Sequence, residues 1–129
     1  MSVAEYVSCL RTDIFGIPHI VSHSLGYEDR PPIAGIVKGS AQFSNGSSLH
    51  FKEFLHLSSP ATRLKYAYHY AASDGKLIFR YDNARDPAAR HLSSYPHHRH
   101  GNTGLTVSNA PTLREVLWEA ASTVVRGKE

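Results

Sequence analysis

The part of the sequence best suited to chemistry is a short basic run behind Pro96, made of His97, His98, Arg99 and His100. A histidine can give or take a proton near neutral pH, and an arginine matches the oxygens of a phosphate group. Such a run can serve as a set of metal ligands, as a site for phosphate chemistry, or as a polar surface loop without chemistry. The rest of the sequence bears on the choice.

A metal site is the first alternative. His98 and His100 stand two positions apart, so in an extended segment both rings point to the same side, and Asp82 or Asp86 could supply a third ligand. The spacing matches no standard zinc motif, and no second ligand pair is recognisable. We therefore predict that the protein uses neither a metal nor another cofactor.

Cleavage of RNA without a metal is the second alternative. The 2′-hydroxyl attacks the neighbouring phosphate when a base takes its proton, an acid protonates the leaving 5′-oxygen, and cations stabilise the crowded phosphate. His97, His98 and His100 are the candidates for acid and base, and Arg80 and Arg99 for holding the phosphate. The third alternative stays open beside it: a loop that only binds an anion or a partner protein, or has no role.

Length and composition are those of one globular domain spanning residues 1–129, with 41% apolar and 19% charged residues. The amino end lacks the apolar segment of a signal peptide, and no apolar run of about 18 residues is present, so we expect no membrane partner. The single cysteine, Cys9, favours a reducing, cytoplasmic setting. A net charge of +3 with nine histidines is consistent with an anionic partner. The oligomeric state stays open.

A helix is predicted at each end of the chain. Ser2 with Glu5, and Thr112 with Glu115, form the capping-box pattern that begins a helix. Apolar residues at helical spacing follow each box, and Gly127 is predicted to end the second helix. The two apolar stripes are Val3, Tyr6, Val7, Leu10 and Ile14, and Leu113, Val116, Leu117, Ala120, Ala121 and Val124.

Between the helices, a period of two predicts about five strands. Asn45-Gly46 and Asp74-Gly75 each indicate a hairpin with a two-residue type I′ turn. Residues 84–111 show no sustained period and are predicted to form a long loop. The predicted class is α+β, with one mainly antiparallel sheet and both terminal helices on one of its faces. The strands lie within residues 17–27, 36–43, 48–55, 64–72 and 76–83.

The register of the second hairpin follows from its turn. A two-residue turn pairs Ser73 with Lys76, and counting outwards places His69 opposite Arg80. The other pairs are Tyr70 with Phe79, Tyr68 with Tyr81, and Ala67 with Asp82. By the same rule, a two-residue turn in the first hairpin pairs Lys38 with Glu53 and Ala41 with His50, unless a bulge at Gly39 shifts the register.

Alternation along the second hairpin separates an aromatic face from a polar one. We interpret the aromatic face as a wall of the core beneath the helices; a base-stacking platform for RNA is the alternative. The polar face is either a solvated surface or the floor of a site. The aromatic face carries Tyr66, Tyr68, Tyr70, Leu77, Phe79 and Tyr81, and the polar face carries His69, Arg80 and Asp82 with Ala67, Ala71 and Ile78.

Two stretches together resemble the TumE family of prokaryotic toxin–antitoxin proteins. They are YAYHYAASDGKLIFRYDNA at residues 66–84 and YPHHRH at residues 95–100. The resemblance covers roughly residues 36–125 and is most specific in FRYDNA and PHHRH. Arg99 stands where the family usually has lysine, which keeps the charge. The connection at residues 85–95 differs from the usual proline- and histidine-rich link, so His91 is left out of the predicted site.

The resemblance implies the cytoplasmic toxin of a type II toxin–antitoxin system, neutralised by a cognate antitoxin that is typically a helix-turn-helix DNA-binding protein. RNA cleavage is the expected activity, and a non-enzymatic module that docks on an antitoxin or a nucleic acid is the alternative. The matching motif positions are Tyr68, His69, Arg80, Tyr81, Asp82, Asn83, Pro96, His97, His98, Arg99 and His100. Of these, we predict catalytic roles for His97, His98, His100, Arg80 and Asp82, and substrate-binding roles for His69, Arg99, Tyr81 and Asn83.

Overall fold

A computed structural model describes residues 1–126, which form one antiparallel sheet of seven strands in chain order with a helix at each end. The predicted α+β class with terminal helices is confirmed. The elements are α1 (Val3–Phe15), β1 (Ile20–Arg30), β2 (Ala34–Phe43), β3 (Ser48–His56), β4 (Thr62–Ala71), β5 (Leu77–Asp82), a 3₁₀ turn (Pro87–Ala89), β6 (His98–Gly101), β7 (Gly104–Val107) and α2 (Leu113–Arg126).

Both helices begin at the predicted capping boxes. The Ser2 amide donates to Glu5 Oε1 at 3.0 Å, and the Glu5 amide donates back to Ser2 Oγ at 3.1 Å. Thr112 and Glu115 repeat the exchange at 3.0 and 3.2 Å. Each box satisfies amide groups that the first helical turn leaves without partners. Gly127, the predicted end of α2, lies outside the described residues.

The core lies between the two helices and one face of the sheet. The apolar stripes of α1 and α2 pack there against the aromatic residues of β4 and β5, of which Tyr68 and Tyr70 are fully buried. The interpretation of the aromatic face as a core wall is therefore confirmed, and the alternative of a base-stacking platform on that face is wrong. We call the opposite side of the sheet the open face.

A buried carboxylate links α1, β3 and β4 through hydrogen bonds in the core. Glu53 of β3 is 1% exposed and accepts hydrogen bonds from the hydroxyls of Tyr6 in α1 and Tyr68 in β4. Arg63 donates to the Tyr68 hydroxyl at 2.8 Å and to the Pro111 carbonyl at 2.5 Å, just before α2. Burial, followed by the charge of Glu53, raises the pKa of both tyrosines, so both hydroxyls stay protonated donors.

The predicted count of about five strands is wrong, because residues 84–111 are not one long loop. They contain the 3₁₀ turn and the short strands β6 and β7. These strands have four residues each. β6 is made of three basic residues and a glycine, and the alternation of Leu105 and Val107 in β7 is too short to predict a strand by itself. Gly101 pairs with Gly104 around a two-residue turn. That turn, followed by the alternation of Leu105 and Val107, was the sequence signal for the missed hairpin.

The first hairpin differs from its prediction by one residue. The Phe43 amide donates to the Ser47 carbonyl at 2.9 Å, which leaves a three-residue loop closed by Gly46 at a φ of 87°. The predicted pairs of Lys38 with Glu53 and of Ala41 with His50 are therefore wrong. Instead, Lys38 faces Lys52 and Ser40 faces His50, and Gly39 carries no bulge.

The second hairpin reaches its predicted register by another route. Its loop also has three residues, since the Ala72 amide donates to the Lys76 carbonyl at 2.9 Å, so the predicted pair of Ser73 with Lys76 is wrong. A register shift next to Ala71 compensates, and His69 pairs with Arg80 as predicted. The same shift leaves Leu77 39% exposed, although alternation placed it on the core face. The other predicted pairs, from Tyr70 with Phe79 to Ala67 with Asp82, are confirmed.

Candidate functional site

A row of basic side chains crosses the open face. His50, His69, Arg80 and His100 are direct partners on β3, β4, β5 and β6. Because neighbouring strands lie about 4.8 Å apart, Arg80 has one histidine on each side at about that spacing. We call these four residues the basic row. Strand β6, which the sequence did not predict, completes the basic row because it places His100 directly opposite Arg80.

Asp82 lies two residues after Arg80 on the same face of β5 and fixes the centre of this row. Its Oδ2 accepts from Arg80 Nε at 2.9 Å and lies 3.3 Å from His100 Nε2. Its Oδ1 lies 3.0 Å from His98 Nε2 and accepts from the Ala84 amide at 3.0 Å. Burial pushes the pKa of Asp82 upward, but the Ala84 amide, Arg80 and His98 together hold that pKa below its ordinary value. The carboxylate is therefore a fixed negative charge.

His98 is a buried hydrogen-bonding partner of the Asp82 carboxylate. The ring is 1% exposed, and its Nδ1 lies 2.7 Å from the Pro96 carbonyl, which can only accept. Its Nε2 faces Asp82, also an acceptor. Both hydrogen bonds form only when both ring nitrogens carry protons. A ring so buried, with both nitrogens hydrogen-bonded, holds Asp82 in position.

Arg80 and His69 are hydrogen-bonded neighbours in the row, and both are partly exposed. The Arg80 side chain is 37% exposed, and its Nη1 donates to His69 Nδ1 at 3.2 Å. His69 accepts that bond only as a neutral ring. Burial lowers the pKa of His69, and the charges of Arg80, His50 and His100 lower it further. His69 is thus held in the form that can take up a proton.

Half of the basic run faces the other way. His97 stacks on Tyr66 on the core face, and its Nδ1 lies 2.8 Å from the Tyr66 hydroxyl. Arg99 lies over Tyr81, donates to its hydroxyl at 3.1 Å, and forms a 2.8 Å ion pair with Glu119 of α2. The expectation that the whole run forms one cluster is wrong, because successive residues of a strand point to opposite faces.

Asn83 follows β5 and binds the backbone of β4. Its Oδ1 accepts from the Tyr66 amide at 2.9 Å, and its Nδ2 donates to the Leu64 carbonyl at 3.1 Å. These two bonds continue the pairing of β4 with the chain beyond Asp82. The amide thereby holds the segment that leads to Arg85, and it also borders a cavity on the open face.

A family model described as Toxin TumE matches residues 11–126. The chain belongs to the TumE toxin family. No curated protein and no solved structure matches it. The matched range includes the basic row, Asp82 and α2, so the family resemblance of the sequence is confirmed. Among the residues that the structure describes, no helix is both long and apolar enough to cross a membrane.

Three residues of this TumE family member could hold a metal ion. One ligand atom from each of Asp82, His98 and His100 lies within 4.8 Å of the others, and histidine nitrogen with carboxylate oxygen suits zinc. The carboxylate, however, is already bound by the Ala84 amide and by Arg80. A dication among these residues would lie beside the guanidinium, and like charges repel strongly in a partly buried site. Asp82 and the two histidines are therefore better suited to hydrogen bonding with one another than to holding a metal ion.

The site also contains two lysines that were not predicted from the sequence. Lys38 and Lys52 are cross-strand partners, exposed on the open face, and Lys52 also pairs with Ala67 beside Asp82. The one-residue error in the first hairpin paired Lys38 with Glu53, which is buried on the other face. The signal that could have found them is the alternation of His50 and Lys52 along β3.

Proposed function

We propose that this TumE family toxin acts in the cytoplasm by cleaving RNA on its open face, without a metal ion, as the toxin of a type II toxin–antitoxin pair. The observation that carries the proposal is the partly exposed Arg80, which lies between His69 and His100 and is held by the buried Asp82. Phosphodiester cleavage needs this order of groups: a cation at the phosphate, with proton carriers on both sides.

Arg80 is the phosphate-binding group. Its Nε is committed to Asp82, and its Nη1 donates to His69, an uncharged acceptor that a phosphate oxygen can replace. A guanidinium fixed through Nε keeps its remaining donors in one plane, the geometry that fits two phosphate oxygens. When a phosphate takes the Nη1 donor, Nδ1 of His69 becomes free.

His69 and His100 are the base and the acid. His69 takes the proton of the 2′-hydroxyl while the 2′-oxygen forms a bond to phosphorus. The bond from phosphorus to the 5′-oxygen breaks, and His100 protonates that oxygen, leaving a 2′,3′-cyclic phosphate and a 5′-hydroxyl. The two rings flank Arg80 at about 10 Å from each other, twice the strand spacing, which leaves room for a phosphate between them. His98 and Asp82 position these groups.

The test is cleavage of cellular RNA in the presence of a chelator. We expect Arg80→Gln and His100→Gln to lose about 10²- to 10⁴-fold in rate, the usual contribution of an acid, a base or a charge at the reacting group. The matched control is His97→Gln, which changes a histidine of the same run on the opposite face and should retain the rate within about threefold. Equal losses in His97→Gln and His100→Gln, or loss of wild-type activity with the chelator, would refute the mechanism.

A binding module is the second candidate. Lys38 and Lys52 extend the positive charge of the open face beyond the basic row. A positive surface of this kind is also what a protein needs if it only binds an anionic partner. Binding of RNA or of the cognate antitoxin that depends on Lys52, with no RNA cleavage at any enzyme concentration, would favour this candidate. The antitoxin expected from the family, a helix-turn-helix protein, would then neutralise the toxin by covering the same face.

A further inference from the structure

A cavity of about 780 Å³ lies on the open face beside the ion pair of Arg80 and Asp82. Its floor contains Ile36 and Phe54, which are cross-strand partners on β2 and β3 and remain partly exposed. Leu64, which is 51% exposed, also lines it. Apolar side chains are thus grouped on a side of the sheet that the two helices do not cover.

Cations surround this apolar floor. Lys52, Lys65 and Arg85 line the cavity together with Arg80. Within residues 1–126, Asp82 is the one acidic residue in the lining, and its oxygens are bound by Arg80, His98 and a backbone amide. The cavity therefore suits a ligand with one flat apolar part and several negative charges. A nucleotide has both features.

We propose that this cavity binds a nucleobase of single-stranded RNA, stacked on Phe54, while the flanking phosphates contact Lys52 and Arg85. The inference rests on the proposed function, since it places the base next to the phosphate that Arg80 holds. A volume of about 780 Å³ lies within the usual range of small-ligand sites, about 300 to 1,000 Å³, and accommodates one or two nucleotides.

The position of Phe54 makes the site selective for single strands. A base reaches the floor of the cavity only when it is free of pairing and stacking in a duplex. Stacking on an aromatic side chain depends little on base identity, because every base has a π-face. We therefore expect a preference for unpaired over duplex RNA, with weak discrimination among bases at this position.

Binding of a non-cleavable strand tests the site separately from cleavage. The probe is a single-stranded hexanucleotide with 2′-O-methyl groups and one 2-aminopurine, whose fluorescence falls on stacking. Phe54→Leu should weaken binding roughly 5- to 100-fold and abolish the quenching. The matched control is Phe15→Leu, which changes an aromatic residue that is 73% exposed at the end of α1 and should bind as the wild type does. The duplex form should bind at least tenfold more weakly.

The outcomes separate the site from the proposed function. Unchanged binding in a folded Phe54→Leu variant, or equal binding of duplex and single strand, would overturn the nucleobase site even if RNA is cleaved. An acidic, apolar segment of a partner protein would then be the occupant that fits the same charges. No binding and no cleavage by the wild type would overturn both proposals, whereas Phe54-dependent binding without cleavage would support the site and overturn the enzymatic function.

Discussion

The two faces of β5 should respond in opposite ways to mutation. Phe79 is 1% exposed and packs against Tyr70 and Tyr81, with ring centroids 5.1 and 5.6 Å away. Phe79→Ala removes this burial and leaves a cavity, which costs about 3–5 kcal/mol. For a chain of this size, that loss lowers the melting temperature by roughly 10–20 °C. It is a large share of a total stability of about 5–15 kcal/mol.

Arg80 is the next residue and points the other way. Its ion pair with Asp82 is partly solvated, and Arg80→Gln leaves the carboxylate with His98, His100 and the Ala84 amide as partners. Because the Arg80 side chain is 37% exposed and the buried Asp82 keeps these other partners, we expect the melting temperature to fall by no more than about 5 °C. RNA cleavage, in contrast, should be lost.

Thermal melts and one cleavage rate for each variant test this division of roles. Activity of Phe79→Ala should be measured well below its melting temperature, where the folded fraction still cleaves. The reasoning would be refuted if Arg80→Gln unfolded the protein while Phe79→Ala remained stable and lost cleavage. The aromatic face would then carry the function, and Arg80 with Asp82 would be a structural pair.

Three further predictions concern the core, the pH response and toxicity. Tyr68→Phe removes one of the two hydroxyls that Glu53 accepts from, and chemical denaturation should show a loss of about 1–3 kcal/mol, whereas no loss would contradict a structural role for this network. The pKa of His69 is lower in the folded than in the unfolded chain, so acidification from pH 7 through about 6.5 removes stability. His69→Gln should therefore lose less stability than the wild type between pH 7 and pH 5; a larger loss would reverse the sign. Induced expression in a bacterial host without antitoxin should arrest growth, and Arg80→Gln should relieve the arrest at equal soluble expression; healthy growth with the wild type would count against a toxin.

Local signals were sufficient for the helices and for most strands. Each capping box and apolar stripe predicted its helix, because the same residues that pack in the core also set the helical period. Strands β6 and β7 could not be predicted in this way. Both strands are short and β6 has no apolar side chain, so its position depends on pairing with Asp82 and the neighbouring residues of β5, in an earlier part of the chain.

The part of the site on β4 and β5 was predictable from the sequence, and the part on β6 was not. Alternation along β4 and β5 brought His69, Arg80 and Asp82 to one face, although the turn that set their register was wrong and a bulge corrected it. The residues of the basic run point to two opposite faces because the run forms a strand, and the sequence did not reveal that strand. Once β6 pairs with β5, His98 and His100 must face Asp82 and Arg80, and Arg99 must face the helices.

The proposed chemistry is tested most directly by a single modification of the substrate. The site of cleavage in an RNA cut by the wild-type protein is mapped, and the same strand is made with one 2′-O-methyl group on the nucleotide before the cut. With a chelator present, we predict that the unmodified strand yields a 2′,3′-cyclic phosphate and a 5′-hydroxyl, and that the modified strand is not cut at that position. Cutting of the modified strand, or cutting only after a metal ion is added, would contradict the proposed mechanism.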